Sequence, residues 1–219
     1  MRYVAAWDEV GAEHSLSRLN NELSTLISVL DTGLAQGGDA MLAASHASRG
    51  RFHPEVSARF GSDGFLEALS IADAVLRSPS YGTLSALITR VIQQTADEVA
   101  TAHRAAIAAL LPGATPEDSV EDPVGTPVTF TEASRDGALK LAVDEAGRLL
   151  WCEIGPPGSG GQWSGQLLGW RLTALHRSAE MRALLHGYLG AAGPGDLPVP
   201  EGMPNAAALT RFRSEHLVF

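Results

Sequence analysis

Between residues 138 and 154 the hydrophobic period of this chain becomes two, and no other run constrains the fold as strongly. Ala138-Leu139-Lys140-Leu141-Ala142-Val143-Asp144 alternates apolar with small or polar residues. Glu145-Ala146-Gly147 reads as a turn, and Arg148-Leu149-Leu150-Trp151-Cys152-Glu153-Ile154 as the returning strand. Val128-Thr129-Phe130-Thr131-Glu132 is a β-prone run just ahead of it. A lone hairpin is marginal in water, so its apolar face must be covered and its edges paired or protected.

The flanking segments are helical in pattern. From about Thr83 to Leu111, apolar residues such as Leu84, Leu87, Ile88, Val91, Ile92, Ala96 and Val99 recur at spacings of three and four, and Pro112-Gly113 ends the run. An acidic, proline-bearing linker, Ala114 to Pro127, separates it from the strands. After the hairpin, a second long helix is expected from about Ser164 to Leu189, carrying Leu168, Trp170, Leu172, Leu175 and Met181.

The N-terminal part reads as helical too. Leu16, Leu19, Leu23, Leu26, Ile27 and Leu30 predict a helix from about Ser15 to Leu34, ended by Gly33 and the Gly37-Gly38 pair. Residues 39 to 47 are helix-permissive, and Pro54 is placed to open a helix at its first position. Ser62-Asp63 precedes Phe65, Leu66, Leu69, Ile71, Ala72, Val75 and Leu76, which predicts another helix capped by Asp63 and stopped by Ser78-Pro79-Ser80. Gly190 to Pro204 is irregular, and Asn205 to His216 suits a short terminal helix. No internal repeat is evident. The expected fold is therefore α+β and mainly helical. A helical region (1–80) leads into a helix–β-hairpin–helix unit (83–190), and a Pro/Gly-rich tail with a short helix follows (191–219).

Composition narrows the function classes. The net charge of −9 argues against a protein that lives on phosphate contacts, without excluding a local arginine patch such as Arg171, Arg177 and Arg182 on the last long helix. Cys152 is the only cysteine, so no internal disulfide is available and an oxidising compartment has no support. The start, Met1-Arg2-Tyr3-Val4-Ala5-Ala6-Trp7-Asp8, lacks a long apolar core, and no run of eighteen apolar residues occurs. A cytoplasmic protein without a membrane partner is expected.

No catalytic set stands out. The seven histidines, His14, His46, His53, His103, His176, His186 and His216, form no paired ligand motif. His176 and His186, ten apart on one helix, cannot share an ion. Gly155-Pro156-Pro157-Gly158-Ser159-Gly160-Gly161 lacks the Gly-Lys-Ser/Thr ending of a phosphate loop and reads as a linker. Cys152 reads as structural. Neither a metal nor a cofactor is expected. Trp163 and Trp170 are candidates for a partner surface.

The run Asp136-Gly137 through Ile154, set between two long helices, resembles the sheet of the YbaB/EbfC family. Gln162-Trp163-Ser164-Gly165-Gln166-Leu167-Leu168 is similar to the helix entry in diverged YbaB-like accessory proteins of type VII (ESX) secretion loci. The resemblance covers about half the chain. It implies a homodimer formed by sheet pairing with projecting helices, and DNA binding in nucleoid-associated members.

Three functions follow. The first is a non-catalytic dimeric binding or adaptor protein, with the association to type VII secretion that the resemblance implies. The second is a nucleoid-associated DNA-binding protein using Arg171, Arg177 and Arg182. The third is an enzyme or small-ligand-binding protein with a pocket between the N-terminal region and the sheet, for which His53, Glu55 and His103 are the first suspects.

Overall fold

The computed structural model describes residues 32, 35–39, 43, 55–77, 80–110, 128–158, 161–192 and 205–219. A helical piece at 35–39 (α1) precedes β1 (Val56–Phe60), β2 (Leu66–Ile71), a 3-10 turn (Val75–Arg77) and α2 (Tyr81–Leu110). Then come β3 (Phe130–Ala133), β4 (Leu139–Val143), β5 (Leu149–Ile154), α3 (Gly165–Ala192) and α4 (Ala206–His216). The class is α+β, with helix predominating. Strands β1 and β2 form one antiparallel sheet, and β3-β4-β5 form another in that order. No helix among the described residues is long and apolar enough to cross a membrane.

The two long helices, the β4–β5 hairpin and the terminal helix lie where the pattern places them. The helix expected at Ser15–Leu34 falls outside the described residues apart from Thr32, which is helical. Three expectations are corrected. Gly37 and Gly38 lie inside a helix rather than ending one: a Cβ on Gly37 would collide with the His103 ring, so the glycine permits close approach of α1 to α2. The helix expected after Ser62-Asp63 is instead strand β2, paired with β1, and no helix follows Pro54.

The reason for the second error is a β-bulge. Leu66 pairs with Phe60 and Ala68 with Arg59, so Glu67 is an extra residue in β2. The bulge breaks the alternation and leaves Leu66, Leu69 and Ile71 buried, a spacing of three then two that imitates a helical stripe. Asp63 caps no helix. Its Oδ1 accepts the Phe65 amide at 3.2 Å within the hairpin turn, where Gly64 has φ +78°.

The chain also contains an internal repeat, which the sequence reading missed. In the second hairpin Leu149 pairs with Val143 and Trp151 with Ala142, so Leu150 is a bulge residue 83 positions after Glu67. Gly147, with φ +77°, matches Gly64. The turn bonds match as well: Gly64 N to Gly61 O and Gly147 N to Asp144 O are both 3.0 Å. Beyond the hairpins the offset becomes 84. Ser80 accepts the amides of Thr83 (Oγ) and Leu84 (backbone O), and Ser164 accepts those of Leu167 and Leu168 in the same way. The buried stripe Leu84, Ile88, Val91, Thr95, Val99 on α2 becomes Leu168, Leu172, Leu175, Ala179, Ala183 on α3.

The repeats pack reciprocally. Helix α2 lies on β1 of its own repeat and β5 of the other; α3 lies on β4 of its own and β2 of the other. One hydrophobic core results, running from Val56 through Ile88, Leu141 and Leu172 to Ala183. The hairpin at 56–71 therefore belongs to the same core as the segment 83–190.

Each helix also seals a strand edge. The Ile154 amide donates to Ser85 Oγ (3.0 Å) and the Cys152 amide to Thr89 Oγ1 (3.2 Å), while Gln93 Nε2 donates to the Leu149 carbonyl (2.9 Å). On the other side, Gly165 and Gly169 bring the α3 backbone against the carbonyls of Ile71 and Leu69, where any Cβ would clash. The outer edges of β5 and β2 are thereby occupied within the chain.

Candidate functional site

The residues singled out by sequence reasoning scatter over the molecule. Trp163 is a core residue, 8% exposed, with Nε1 donating to the Gly155 carbonyl at 2.9 Å. It lines a cavity with Leu76, Arg77 and Tyr81. Trp170 is 50% exposed and rests against Phe219, ring centroids 5.4 Å apart. It walls a groove of about 410 Å³ between α3 and β2, with Ala68, Leu69 and Thr173 in the lining.

The three arginines are engaged internally. Arg171 lies over the Trp163 and Phe219 rings and 3.6 Å from Asp136. Arg177 covers Phe65 and reaches Asp63 at 3.5 Å. Arg182 bonds the Thr131 carbonyl (2.9 Å) and, together with Arg213, the buried Glu132, each arginine at 3.1 Å. Glu132 thus ties β3, α3 and α4 together.

Asp136 closes the turn before β4. The Ser134 hydroxyl donates to it at 2.6 Å, the Ala138 amide donates at 3.0 Å, and Arg171 adds its charge. These hold its carboxyl below the usual carboxylate range against a smaller opposing effect of burial. Cys152 is buried between β5 and α2. Burial pushes its thiol up to about 11, only partly opposed by the Thr89 hydroxyl. It is a packing residue.

Among the third group, His53 lies outside the described residues. Glu55 sits at the foot of β1, where its carbonyl accepts the Ala72 amide. His103 borders the cleft of about 410 Å³ between the two repeats. His14 and His46 are outside the described residues, and His186 packs edge-on to Phe130 at 5.3 Å. In the glycine-rich loop, Gly158 packs against Asp136, and residues 159 and 160 lie outside the described residues.

The cleft between the repeats holds residues that sequence reasoning passed over. Gly64 and Gly147, the twin turn glycines, form part of its wall. Ile92 and Ala96 line it from α2; the equivalent positions of α3 are His176 and Glu180, which line it as well. His176 is 1% and Glu180 5% exposed. His176 Nδ1 lies 3.1 Å from Glu180 Oε2, off the direction of a hydrogen bond. Both ring nitrogens and Oε2 have no hydrogen-bond partner among the described residues.

Such orphaned groups are rare in a folded interior, because each costs about 1–3 kcal/mol. The signal in the sequence was a histidine and a glutamate one turn apart inside an apolar stripe, Leu168, Leu172, Leu175 and Ala179. Arg148 stands at the rim but is bonded to Asp144 at 2.8 Å, and Arg104 turns back to its own helix at the Ala100 carbonyl. Among the described residues no group of three His, Cys, Asp or Glu side chains is placed to hold a metal ion.

No family model matches this chain, and no curated protein or solved structure matches it either.

Proposed function

We propose that this chain is a non-catalytic binding protein built from two hairpin–helix repeats in one polypeptide, the second repeat standing where a homodimer would place the partner subunit. The observation that carries this reading is the reciprocal packing of α2 on β5 and α3 on β2. An isologous dimer has that form, each half giving the other the same contact. The occupied outer edges of β2 and β5 close two of the four sheet edges to pairing with a second subunit.

The partner of such a scaffold is a protein docking at Trp170. The half-exposed indole, the 37%-exposed Leu167 and the adjoining groove along β2 supply the aromatic anchor and pocket typical of interfaces. DNA is the weaker reading, since Arg171, Arg177 and Arg182 are spent on internal acids and rings.

Light scattering tests the architecture: a mass near 23.0 kDa is expected, and a concentration-independent doubling would overturn it. A photo-crosslinking residue at position 170 tests the binding surface in the native host. A discrete adduct is expected there and not from exposed position 105 on α2; equal labelling at both positions, or none at 170, would refute the docking site.

A further inference from the structure

We propose that the cleft between the two repeats binds a small organic cation, its protonated nitrogen held by Glu180 and His176 and its apolar body by Phe60, Ile92, Val99 and Leu149. The site is distinct from the Trp170 surface and does not depend on it.

Three observations converge. First, the walls come from equivalent places of the two repeats, yet the chemistry is polar on one side only. Ile92 and Ala96 on α2 face the cleft where α3 presents His176 and Glu180. The fold does not need polar groups there, because α2 fills the same positions with apolar ones. Second, the polar atoms are buried and make no hydrogen bond: His176 Nδ1 and Nε2, and Glu180 Oε2, which lies 3.1 Å from Nδ1. A carboxylate accepts hydrogen bonds and cannot donate them, so its natural complement is an N–H donor with positive charge. Third, the two cations among the described lining residues are engaged elsewhere, Arg148 by Asp144 and Arg104 by the α2 backbone.

The remaining surface sets the rest of the ligand. Phe60, Val99 and Leu149 are apolar, and the volume of about 410 Å³ lies within the range of about 300–1,000 Å³ used by small-molecule sites. An anion would meet Glu180 inside and Asp97 at the edge. The histidine ring accepts a second N–H from an ammonium or amidinium group through whichever nitrogen is unprotonated.

The test uses the full chain and three isosteric probes: phenethylamine, 2-phenylethanol and phenylacetate. Binding is read by calorimetry and by the backbone amide resonances of Gly64 and Gly147, which border the cleft. Phenethylamine is expected to shift both glycines and to bind at least tenfold more tightly than the alcohol, with phenylacetate weaker still. Glu180→Gln keeps the shape and removes the charge, and is expected to weaken the amine at least tenfold while leaving the alcohol unchanged. The double variant His176→Ile/Glu180→Ala, which copies the α2 residues, keeps the test open if the single variant misfolds. The proposal is overturned if the amine leaves both glycines unmoved, if the alcohol binds as well, or if the variants bind the amine like the wild type.

Discussion

Replacing the buried pair by the residues of the first repeat, His176→Ile with Glu180→Ala, is expected to stabilise the unliganded protein. Three buried polar atoms lose no hydrogen bond in the exchange because they make none. Swapping buried ionisable groups for apolar residues commonly gains about 1–4 kcal/mol. Against this stands the loss of the Glu180 Cγ methylene from the packing, about 0.8 kcal/mol. Isoleucine fits at the first site, since Ile92 is 3% exposed at the equivalent place. The net gain is about 1–2 kcal/mol, which raises Tm by about 2–8 °C in a chain of this size.

The single substitutions separate the contributions. His176→Ile alone strands the carboxylate and is expected to destabilise by up to about 3 kcal/mol, the low end of the cost of breaking a buried pair. Glu180→Ala alone removes the carboxylate 3.1 Å from the imidazole but strands no carboxylate, and is expected to cost less than His176→Ile. Urea unfolding followed by far-UV circular dichroism at pH 7 measures all three. A double variant less stable than the wild type would refute the argument that the pair burdens the fold.

Other expectations concern the frame. Gly169→Ala places a methyl group into the Leu69 carbonyl and is expected to cost more than 2 kcal/mol in urea unfolding. Gly187→Ala meets nothing within 4 Å and is expected to gain about 0.5–1 kcal/mol. The Cys152 thiol, raised to about 11 by burial, is expected to ignore an aromatic disulfide reagent at pH 8 until the protein is unfolded. Asp136 has a lowered folded value, so its contribution is full above the ordinary carboxylate range and is lost as pH falls through the folded one. Asp136→Asn is therefore expected to flatten the loss of Tm with acid below about pH 4, seen by calorimetry.

The sequence announced the elements whose period is uninterrupted. The α2 and α3 stripes, the β4–β5 hairpin with Gly147, and α4 behind the Asn205 cap could be placed from pattern alone. The β1–β2 hairpin could not, because the bulge at Glu67 erases alternation over six residues. The repeat stayed hidden for a related reason. Its coincident residues are few: Gly64 and Gly147, Leu66 and Leu149, Ile71 and Ile154, Ser80 and Ser164, Leu84 and Leu168, Thr89 and Thr173. They are those that turns, caps and core require, while the rest of each copy is free to change. Trp163 was misjudged as an exposed anchor because composition cannot say which side of a helix entry faces the core. His176 was weighed only against another histidine, and its true neighbour is the acid one turn later.

The covalent joining of two like halves has a consequence for what can evolve between them. In an assembly of identical subunits every substitution enters twice, so a pocket on the dyad is obliged to offer its occupant the same group from both sides. Here a change at position 176 leaves position 92 as it was. One copy can remain a supporting wall while the other acquires chemistry. A molecule with distinct ends, which no exact dyad can match, then has a definite way round to bind.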